Sequence, residues 1–242
     1  MPIRRHHRDK TCTDGSRGLL SGPQLGQPGP ARFTDGSNKV VSGSRDRTLR
    51  EWDLVKGGYC EYAAGWDGPS GSPRGVRTIF SSSICFDILE GASSSLLSGH
   101  YDSTVKVWDK RDKEPKHVIA VEGVVTSLAL GTDYKVLCCT RDDVLKLVDL
   151  RALAVVKRFQ ADGFHVGCDY SRAVFSPDCK YVAAGSSTGD LFIWNVATQK
   201  LEKQLSSVSG SPSCVIATAW HPDGSYLVSS DKTKLIAVWS DM

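Results

Sequence analysis

The sequence lacks any apolar run long enough to cross a membrane. A membrane span needs about 18 or more consecutive apolar residues, and no stretch of the 242-residue chain approaches that length. The basic residues near the start, Arg4, Arg5 and Arg8, are not followed by the apolar segment of a secretory signal. We therefore expect a cytoplasmic protein with no direct membrane span.

The eight cysteines include no Cys-x-x-Cys pair, which is the commonest spacing in zinc and redox sites. Several lie in apolar runs, such as Ile84-Cys85-Phe86 and Leu137-Cys138-Cys139. Such positions are typical of buried, reduced cysteines in a reducing compartment. The sequence therefore predicts no metal site.

The chain also lacks a large excess of charge of either sign. It has 30 Lys and Arg against 27 Asp and Glu, a net charge of +3. Residues 1–32 carry +4 of this, which leaves −1 for the remainder. Because binding to phosphates needs clustered cations, we expect no nucleic-acid partner.

Motifs that support catalysis are scarce as well. The six histidines are scattered over the chain and form no His-Glu-x-x-His pair, and no Walker-type phosphate loop occurs. The sequence therefore favours a protein that is not an enzyme and needs no cofactor.

What the chain does contain is a repeated unit. The stretch from Ser98 to Asp109 has the features of a strand end, a tight turn and a second strand rich in β-branched and aromatic residues. The same pattern recurs at four further anchor residues, which are Trp52, Val148, Trp194 and Trp239. A repeat of about 40 to 45 residues has the length of one β-propeller blade.

The composition divides the chain into a tail and a repeat domain. Residues 1–30 are rich in Gly, Pro, Ser and basic residues and show no strand or helix period, so we expect a disordered tail. Residues 31–242 form the predicted repeat domain. A loop insertion rich in Gly, Ser and Pro interrupts it near residues 63–76.

Two positions recur at fixed distances before the anchor residue of each unit. The residue ten before it is a serine in the first, second and fifth units, and the residue six before it is an aspartate in the first three. A serine hydroxyl, a turn carboxylate and an indole N–H can hydrogen-bond and tie neighbouring strands together. We therefore expect a structural role for Ser42, Asp46, Trp52, Ser98, Asp102, Trp108, Asp142, Trp194 and Trp239.

The residue seven before each anchor falls in the turn between the second and third strands of its unit. Because the units repeat, these turns should ring one face of the molecule, and Tyr and Arg are favoured at protein interfaces. We predict a rim that binds protein partners, with acidic peptide motifs as ligands. Its residues are Arg45, Tyr101, Arg141, Ser187 and Lys232.

Several of these motifs carry a family resemblance. Trp52-Asp53, Trp108-Asp109 and Trp194-Asn195 end their units with the dipeptide of WD40 repeats. Further similar stretches are Val41 to Thr48, Leu97 to His100, Arg141 to Arg151, Ala161 to Tyr170 and Phe175 to Asp178. Together they resemble the C-terminal propeller of the autophagy-related protein 16-like family, most specifically at Val148 within Val-Asp-Leu-Arg.

The resemblance implies an all-β fold, a WD40 β-propeller of antiparallel four-stranded blades. That family's propeller has seven blades, and this chain resembles about the last five, without the family's N-terminal and coiled-coil regions. We therefore expect a partial propeller. Five blades of a seven-blade ring need not have the curvature to close, and a ring that stays open would leave unpaired strand edges that allow self-association.

The resemblance also implies a function. We expect a non-catalytic scaffold or adaptor for protein–protein interaction in autophagosome assembly, which recruits cargo or membrane-protein tails. The protein would then act at autophagic or endolysosomal membranes.

A second function remains open at this point. Trp108-Asp109-Lys110-Arg111 and Val148-Asp149-Leu150-Arg151 are similar to the Trp-Asp-x-Arg boxes of substrate receptors for cullin-4 ubiquitin ligases. Co-precipitation of the ligase's adaptor would favour this alternative over the autophagy scaffold.

Overall fold

The computed structural model describes residues 31–34, 38–55, 76–91, 95–109, 111–169, 171–206 and 213–240. The expected tail at 1–30 lies outside these residues, as does the expected insertion apart from Val76, which begins a strand. Every regular element in the described part is a β-strand. No helix capable of crossing a membrane is found in it.

The strands form five antiparallel sheets, here called blades one to five in chain order. Blade one contains β1 (Ala31–Phe33), β2 (Lys39–Gly43), β3 (Thr48–Asp53) and β4 (Val76–Phe80). Blade two contains β5 (Cys85–Glu90), β6 (Ser95–His100), β7 (Thr104–Asp109) and β8 (Pro115–Ala120). Blade three contains β9 (Val125–Leu130), β10 (Lys135–Thr140), β11 (Val144–Asp149) and β12 (Ala154–Phe159).

The last two blades continue the same order. Blade four contains β13 (Ala173–Phe175), β14 (Tyr181–Gly185), β15 (Leu191–Asn195) and β16 (Leu201–Leu205). Blade five contains β17 (Val215–Trp220), β18 (Tyr226–Asp231) and β19 (Ile236–Ser240). It is a three-stranded sheet within the described residues, whereas the other four blades have four strands.

A residue with a left-handed backbone conformation closes the turn between the second and third strands of every blade. It lies five residues before the anchor, in the region of positive φ that glycine and short polar side chains adopt most readily. Its φ angle ranges from 62° to 94° across the five blades. These residues are Arg47, Ser103, Asp143, Gly189 and Lys234.

The first strands of successive blades pack in chain order, β1 with β5, β5 with β9, β9 with β13 and β13 with β17. Hydrogen bonds between neighbouring blades fix this order. The Leu128 N–H donates to Asp87 over 2.9 Å, the Ala173 N–H donates to the Ser127 hydroxyl, and the Thr218 hydroxyl donates to the Arg172 carbonyl. The first strands therefore form a common hub.

Glycine in the second strand allows the next blade to approach the hub closely. A Cβ atom added at Gly185 would lie 2.3 Å from the side chain of Val215 in blade five. A Cβ added at Gly99 would lie 2.4 Å from Val125 in blade three. Since non-bonded carbon atoms do not approach this closely, a larger residue at either glycine would push two blades apart.

Each blade has two faces, here called front and back. In each contact between neighbouring blades, the front face of one blade packs on the back face of the blade before it. The front face carries the anchor residue, and the back face carries mainly aliphatic residues. Trp108 on the front of blade two packs with Val41, Leu49 and Ile79 on the back of blade one. The same arrangement joins blades three to two, four to three and five to four.

The predicted architecture is confirmed by these features. The fold is all-β, its antiparallel blades succeed one another around a hub, and it is consistent with a partial β-propeller.

Candidate interaction rim

Backbone hydrogen bonds hold four of the five predicted rim residues in place. The N–H of Tyr101 donates to the carbonyl of Ile84 over 3.0 Å, and the N–H of Arg141 donates to Val124, also over 3.0 Å. Equivalent bonds run from Ser187 to the His165 carbonyl and from Lys232 to the Cys214 carbonyl. In each case the turn is fastened to the segment that precedes its blade's first strand. The turns therefore lie at the same end of their blades.

The turn aspartates of blades one and two bind side chains of their own blade. Asp46 accepts hydrogen bonds from the N–H and hydroxyl of Thr48, and it forms an ion pair with Arg50 at 2.8 Å. Asp102 forms the equivalent ion pair with Lys106 at 3.1 Å. The aspartates thus stabilise a cation on the third strand, four residues further along the chain.

These contacts set the protonation state of both carboxylates. Burial acts to raise the pKa of Asp46, but hydrogen bonds from Thr48 and Ser44 outweigh it, and the pKa lies below its usual value. For Asp102, burial is likewise outweighed, here by Thr104 and Lys106, and the pKa is again lowered. Both aspartates are therefore ionised at neutral pH.

Blade three repeats the arrangement with a fully buried lysine. The ammonium of Lys146 contacts the carboxylate of Asp142 and the carbonyl of Glu122. Lys106 in blade two is also buried, where it donates to the hydroxyls of Ser81 and Ser82. The sequence signal for these lysines is an aspartate followed four residues later by Lys or Arg in three successive units, a spacing that our prediction did not use.

The tryptophans bind the serines directly. The indole N–H of Trp52 donates to the Ser42 hydroxyl over 2.9 Å, and that of Trp108 donates to Ser98 over 2.6 Å. The indole of Trp239 donates to Ser229 in the same way. In blade four, where alanine replaces the serine, the Trp194 indole donates instead to the carbonyl of Gln160.

A buried histidine extends this network in blade two. The Nε2 atom of His100 lies 2.7 Å from the Ser98 hydroxyl, and its Nδ1 atom lies 3.2 Å from the carbonyl of Ser83. Because that carbonyl can only accept, Nδ1 carries the proton and Nε2 accepts from Ser98. Burial first, and then the nearby Lys106, lower the pKa of His100 to about 4. This histidine has a structural role that the sequence pattern did not predict.

The rim side chains differ in exposure and in charge. Arg45 and Lys232 are exposed, Tyr101 is 54% exposed, and Ser187 is half-buried. Arg141 forms an ion pair with Asp169. Since Asp169 partly neutralises Arg141, the rim is less basic at blade three than its turn sequence alone predicts.

Residues 185–189, Gly-Ser-Ser-Thr-Gly, have the Gly-x-Ser-x-Gly spacing of the nucleophile elbow of hydrolases. A catalytic serine also needs a His–Asp pair, and His165 and Asp143 lie 2.9 Å apart. An elbow joins a strand to a helix, whereas this segment is a turn between β14 and β15. Among the described residues, the Ser187 hydroxyl makes no hydrogen bond to the imidazole of His165. The pair of His165 and Asp143 instead orders the loop that contains His165, because Asp143 also accepts a hydrogen bond from the N–H of Val166.

The three fully buried cysteines are poor nucleophiles in this structure. Burial raises the pKa of the Cys85 and Cys138 thiols far above the usual range, and it raises that of Cys139 to about 12. These thiols therefore stay protonated at neutral pH. No group of His, Cys, Asp and Glu residues suited to a metal ion occurs within the described part of the chain.

A cavity of about 300 Å³ lies at the hub, with Arg32 and Arg172 in its wall. Both guanidinium groups approach the buried Asp87, at 3.5 Å and 3.6 Å. Burial raises the pKa of Asp87, while Arg172 and Arg32 oppose that rise. The two arginines therefore serve first as partners of a buried carboxylate.

The two Trp-Asp-x-Arg boxes lie at the opposite end of the blades from the rim. Arg111 is 89% exposed and forms an ion pair with Asp109 at 3.2 Å. The guanidinium of Arg151 lies 5.5 Å from the ring centroid of Tyr134 and donates to the carbonyl of Asp133. Lys110, within the first box, lies outside the described residues.

Comparison with known families gives one matching family model, described as WD domain, G-beta repeat. It matches residues 31–53, 71–109, 160–195 and 202–240. These ranges contain strands from blades one, two, four and five. The unmatched blade three is the one in which Val148 stands in place of the tryptophan.

Comparison with known proteins gives relatives that are much longer than this chain. Protein tipD of Dictyostelium discoideum is 35% identical over 93% of this chain and 35% of its own length. Protein Atg16l2 of Mus musculus is 43% identical over 67% of this chain and 26% of its own length. Autophagy-related protein 16 of Arabidopsis thaliana is 30% identical over 84% of this chain and 37% of its own length. The chain thus spans about a third of these relatives.

Proposed function

Because the chain belongs to the WD40-repeat family and has a WD40 domain of the autophagy-related protein 16-like family, we propose that it is a non-catalytic interaction scaffold in autophagy. The rim of second-to-third-strand turns is the proposed binding surface. The observation that carries this proposal is the common anchoring of the turns, which presents variable side chains on a fixed frame.

The proposed ligand is an acidic peptide segment of a protein partner, such as a cargo protein or the cytoplasmic tail of a membrane protein. Arg45, Arg141 and Lys232 supply the positive charge, and Tyr101 supplies an exposed ring that can pack on the peptide. Charge at an interface acts mainly on specificity and association rate. In this role the protein is cytoplasmic and is brought to autophagic or endolysosomal membranes by its partners.

The test compares two charge-matched triple variants. The rim variant combines Arg45→Glu, Arg141→Glu and Lys232→Glu, and the control combines Lys113→Glu, Lys180→Glu and Lys200→Glu at the other end of the blades. We measure the fluorescence anisotropy of a labelled glutamate-rich peptide, and of a glutamine analogue of the same length. We expect the rim variant to lose about tenfold or more in affinity, a change of about 1.4 kcal/mol, and the control to retain wild-type binding.

Equal losses in both variants would show a response to net charge alone and would contradict a specific rim. An equal affinity of the wild-type chain for the glutamate and glutamine peptides would contradict the acidic ligand. The same variants then report on partners in cells. Autophagy proteins that co-precipitate with the wild-type chain should be retained by the control variant and lost by the rim variant.

The exposed Arg111 supports one alternative function, that of a substrate receptor for a cullin-4 ubiquitin ligase. The variant Arg111→Ala with Arg151→Ala tests it, since neither residue belongs to the rim. Loss of the ligase's adaptor from co-precipitates of this variant, with peptide binding unchanged, would support the alternative. A wild-type chain that captures no adaptor would exclude it.

A further inference from the structure

Two half-buried cysteines meet beside blade four, on segments that are far apart in the sequence. Cys168 lies in the connection from blade three to blade four, and Cys214 directly precedes the first strand of blade five. A Cβ atom added at Gly167 would collide with the sulfur of Cys214 and with the side chain of Ser187. The Cys214 sulfur therefore lies against the backbone of the residue that precedes Cys168.

The thiol of Cys168 is close enough to affect the ionisation of Cys214. Burial, and then the charge and hydrogen bonding of Cys168, raise the pKa of the Cys214 thiol to about 11. The other polar contacts of the pair are weak, because thiols are poor hydrogen-bonding groups. The Cys168 sulfur lies 3.5 Å from the Ser171 hydroxyl, and the Cys214 sulfur lies 3.7 Å from the Val215 carbonyl. Either sulfur can therefore give up its present contact at low cost and turn to the other.

The remaining described cysteines are not placed to form such a pair. Cys85, Cys138 and Cys139 are fully buried. Cys138 and Cys139 are adjacent on β10, where successive side chains point to opposite faces of the sheet. Cys179 lies in the turn between β13 and β14, at the opposite end of blade four from the rim. Among the described cysteines, the pair beside blade four alone combines nearness with partial exposure.

We propose that Cys168 and Cys214 are a redox-sensitive pair that hydrogen peroxide converts to a disulfide. One thiol attacks the peroxide, whose O–O bond breaks, and the products are a sulfenic acid and one water molecule. The second thiol then attacks the sulfur of the sulfenic acid, so that the S–S bond forms and a second water molecule leaves. Two electrons pass from the thiols to the peroxide, and a dithiol reductant reverses the reaction. In a reducing compartment such disulfides are usually transient and sense oxidants.

The disulfide would fasten the two segments that flank blade four. It encloses all four strands of that blade, β13 to β16, because its cysteines lie on either side of them. Both segments also hold rim turns. The Cys214 carbonyl accepts the N–H of Lys232, and the His165 carbonyl, on the same connection as Cys168, accepts the N–H of Ser187. Oxidation would therefore fix the rim between blades four and five, whatever ligand the rim binds.

Peptide mapping of the full chain tests the proposal. The reduced chain is treated with hydrogen peroxide, its remaining thiols are alkylated, and it is digested with trypsin without reduction. Trypsin places the two cysteines on separate peptides, 159–172 and 204–232. We expect mass spectrometry to find these peptides joined, with the loss of two hydrogen atoms, and dithiothreitol to separate them. The oxidised chain should also melt about 5 °C or more above the reduced chain, because closing a long loop restricts the unfolded chain.

Single substitutions provide the controls. Cys168→Ser and Cys214→Ser should each abolish the joined peptide and the rise in melting temperature, whereas Cys179→Ser should keep both. Alanine replaces serine in any variant that circular dichroism shows to be unfolded. In denaturant the wild-type chain should give mixed linkages, since the folded structure no longer holds the two thiols together. The proposal is overturned if the folded wild-type chain carries Cys168 and Cys214 oxidised singly or joined to other cysteines. An equal yield of the joined peptide from the denatured chain would also overturn it.

Discussion

Replacing Trp108 by alanine is expected to lower the free energy of unfolding by about 3–5 kcal/mol, the range measured for large aromatic side chains in protein cores. The Trp108 ring is fully buried between blades one and two, and its indole donates to the Ser98 hydroxyl. The substitution removes the ring, leaves a cavity between the blades and deprives Ser98 of a partner. Urea unfolding with linear extrapolation measures the change.

Trp52→Ala is the matched control for this prediction. Trp52 has the same position in its blade and the same bond to a serine, but it is half-buried. Its loss should therefore cost about 1–2 kcal/mol, because one hydrogen bond and part of the buried area are lost. Equal costs for the two substitutions would contradict the packing of blade two on blade one.

Acidification is expected to destabilise the protein through His100. Its folded pKa is about 4 and its ordinary value is 6.5. As the pH falls below 6.5, the unfolded chain binds a proton that the folded chain does not, so the free energy of unfolding decreases until about pH 4. Above pH 6.5 the group contributes no pH dependence. Between pH 7 and pH 5 the expected loss is about 2 kcal/mol.

The physical cause lies in the hydrogen bonds of His100. Protonation of Nε2 would require the Ser98 hydroxyl to turn its proton away, and it would place a second cation close to Lys106 in a buried site. Asp102 offsets this repulsion in part. Urea unfolding at a series of pH values tests the prediction with His100→Gln, which should remove most of the loss. The control His117→Gln, on outer strand β8, should retain it, and an unchanged pH profile in His100→Gln would rule out this role for His100.

The repeating features of the fold could be predicted from sequence because they depend on local spacing. The strand–turn–strand pattern around each anchor places the second and third strands, and the turn residues Asp102 and Ser103 indicate where the chain reverses. Apolar alternation then assigns two faces to each strand. These signals were sufficient for an all-β architecture of antiparallel blades.

Features that join distant segments could not be predicted in this way. The burial of Lys146 depends on a carbonyl at Glu122, and the bond of Trp194 depends on Gln160. At the rim, Arg141 forms an ion pair with Asp169, which lies in the loop between β12 and β13. Sequence spacing located the rim positions, but their electrostatics follow from contacts that only the three-dimensional structure shows.

Hydrogen–deuterium exchange of the tryptophan indole N–H groups, followed by NMR, tests the packing of the blades most directly. Trp108 and Trp194 are buried between blades, whereas Trp52 and Trp239 are half-exposed although they are hydrogen-bonded. The indoles of Trp108 and Trp194 should therefore exchange only when the domain unfolds, and those of Trp52 and Trp239 should exchange faster through local opening. If Trp108 and Trp194 exchanged as fast as Trp52, the blades would not be packed front to back.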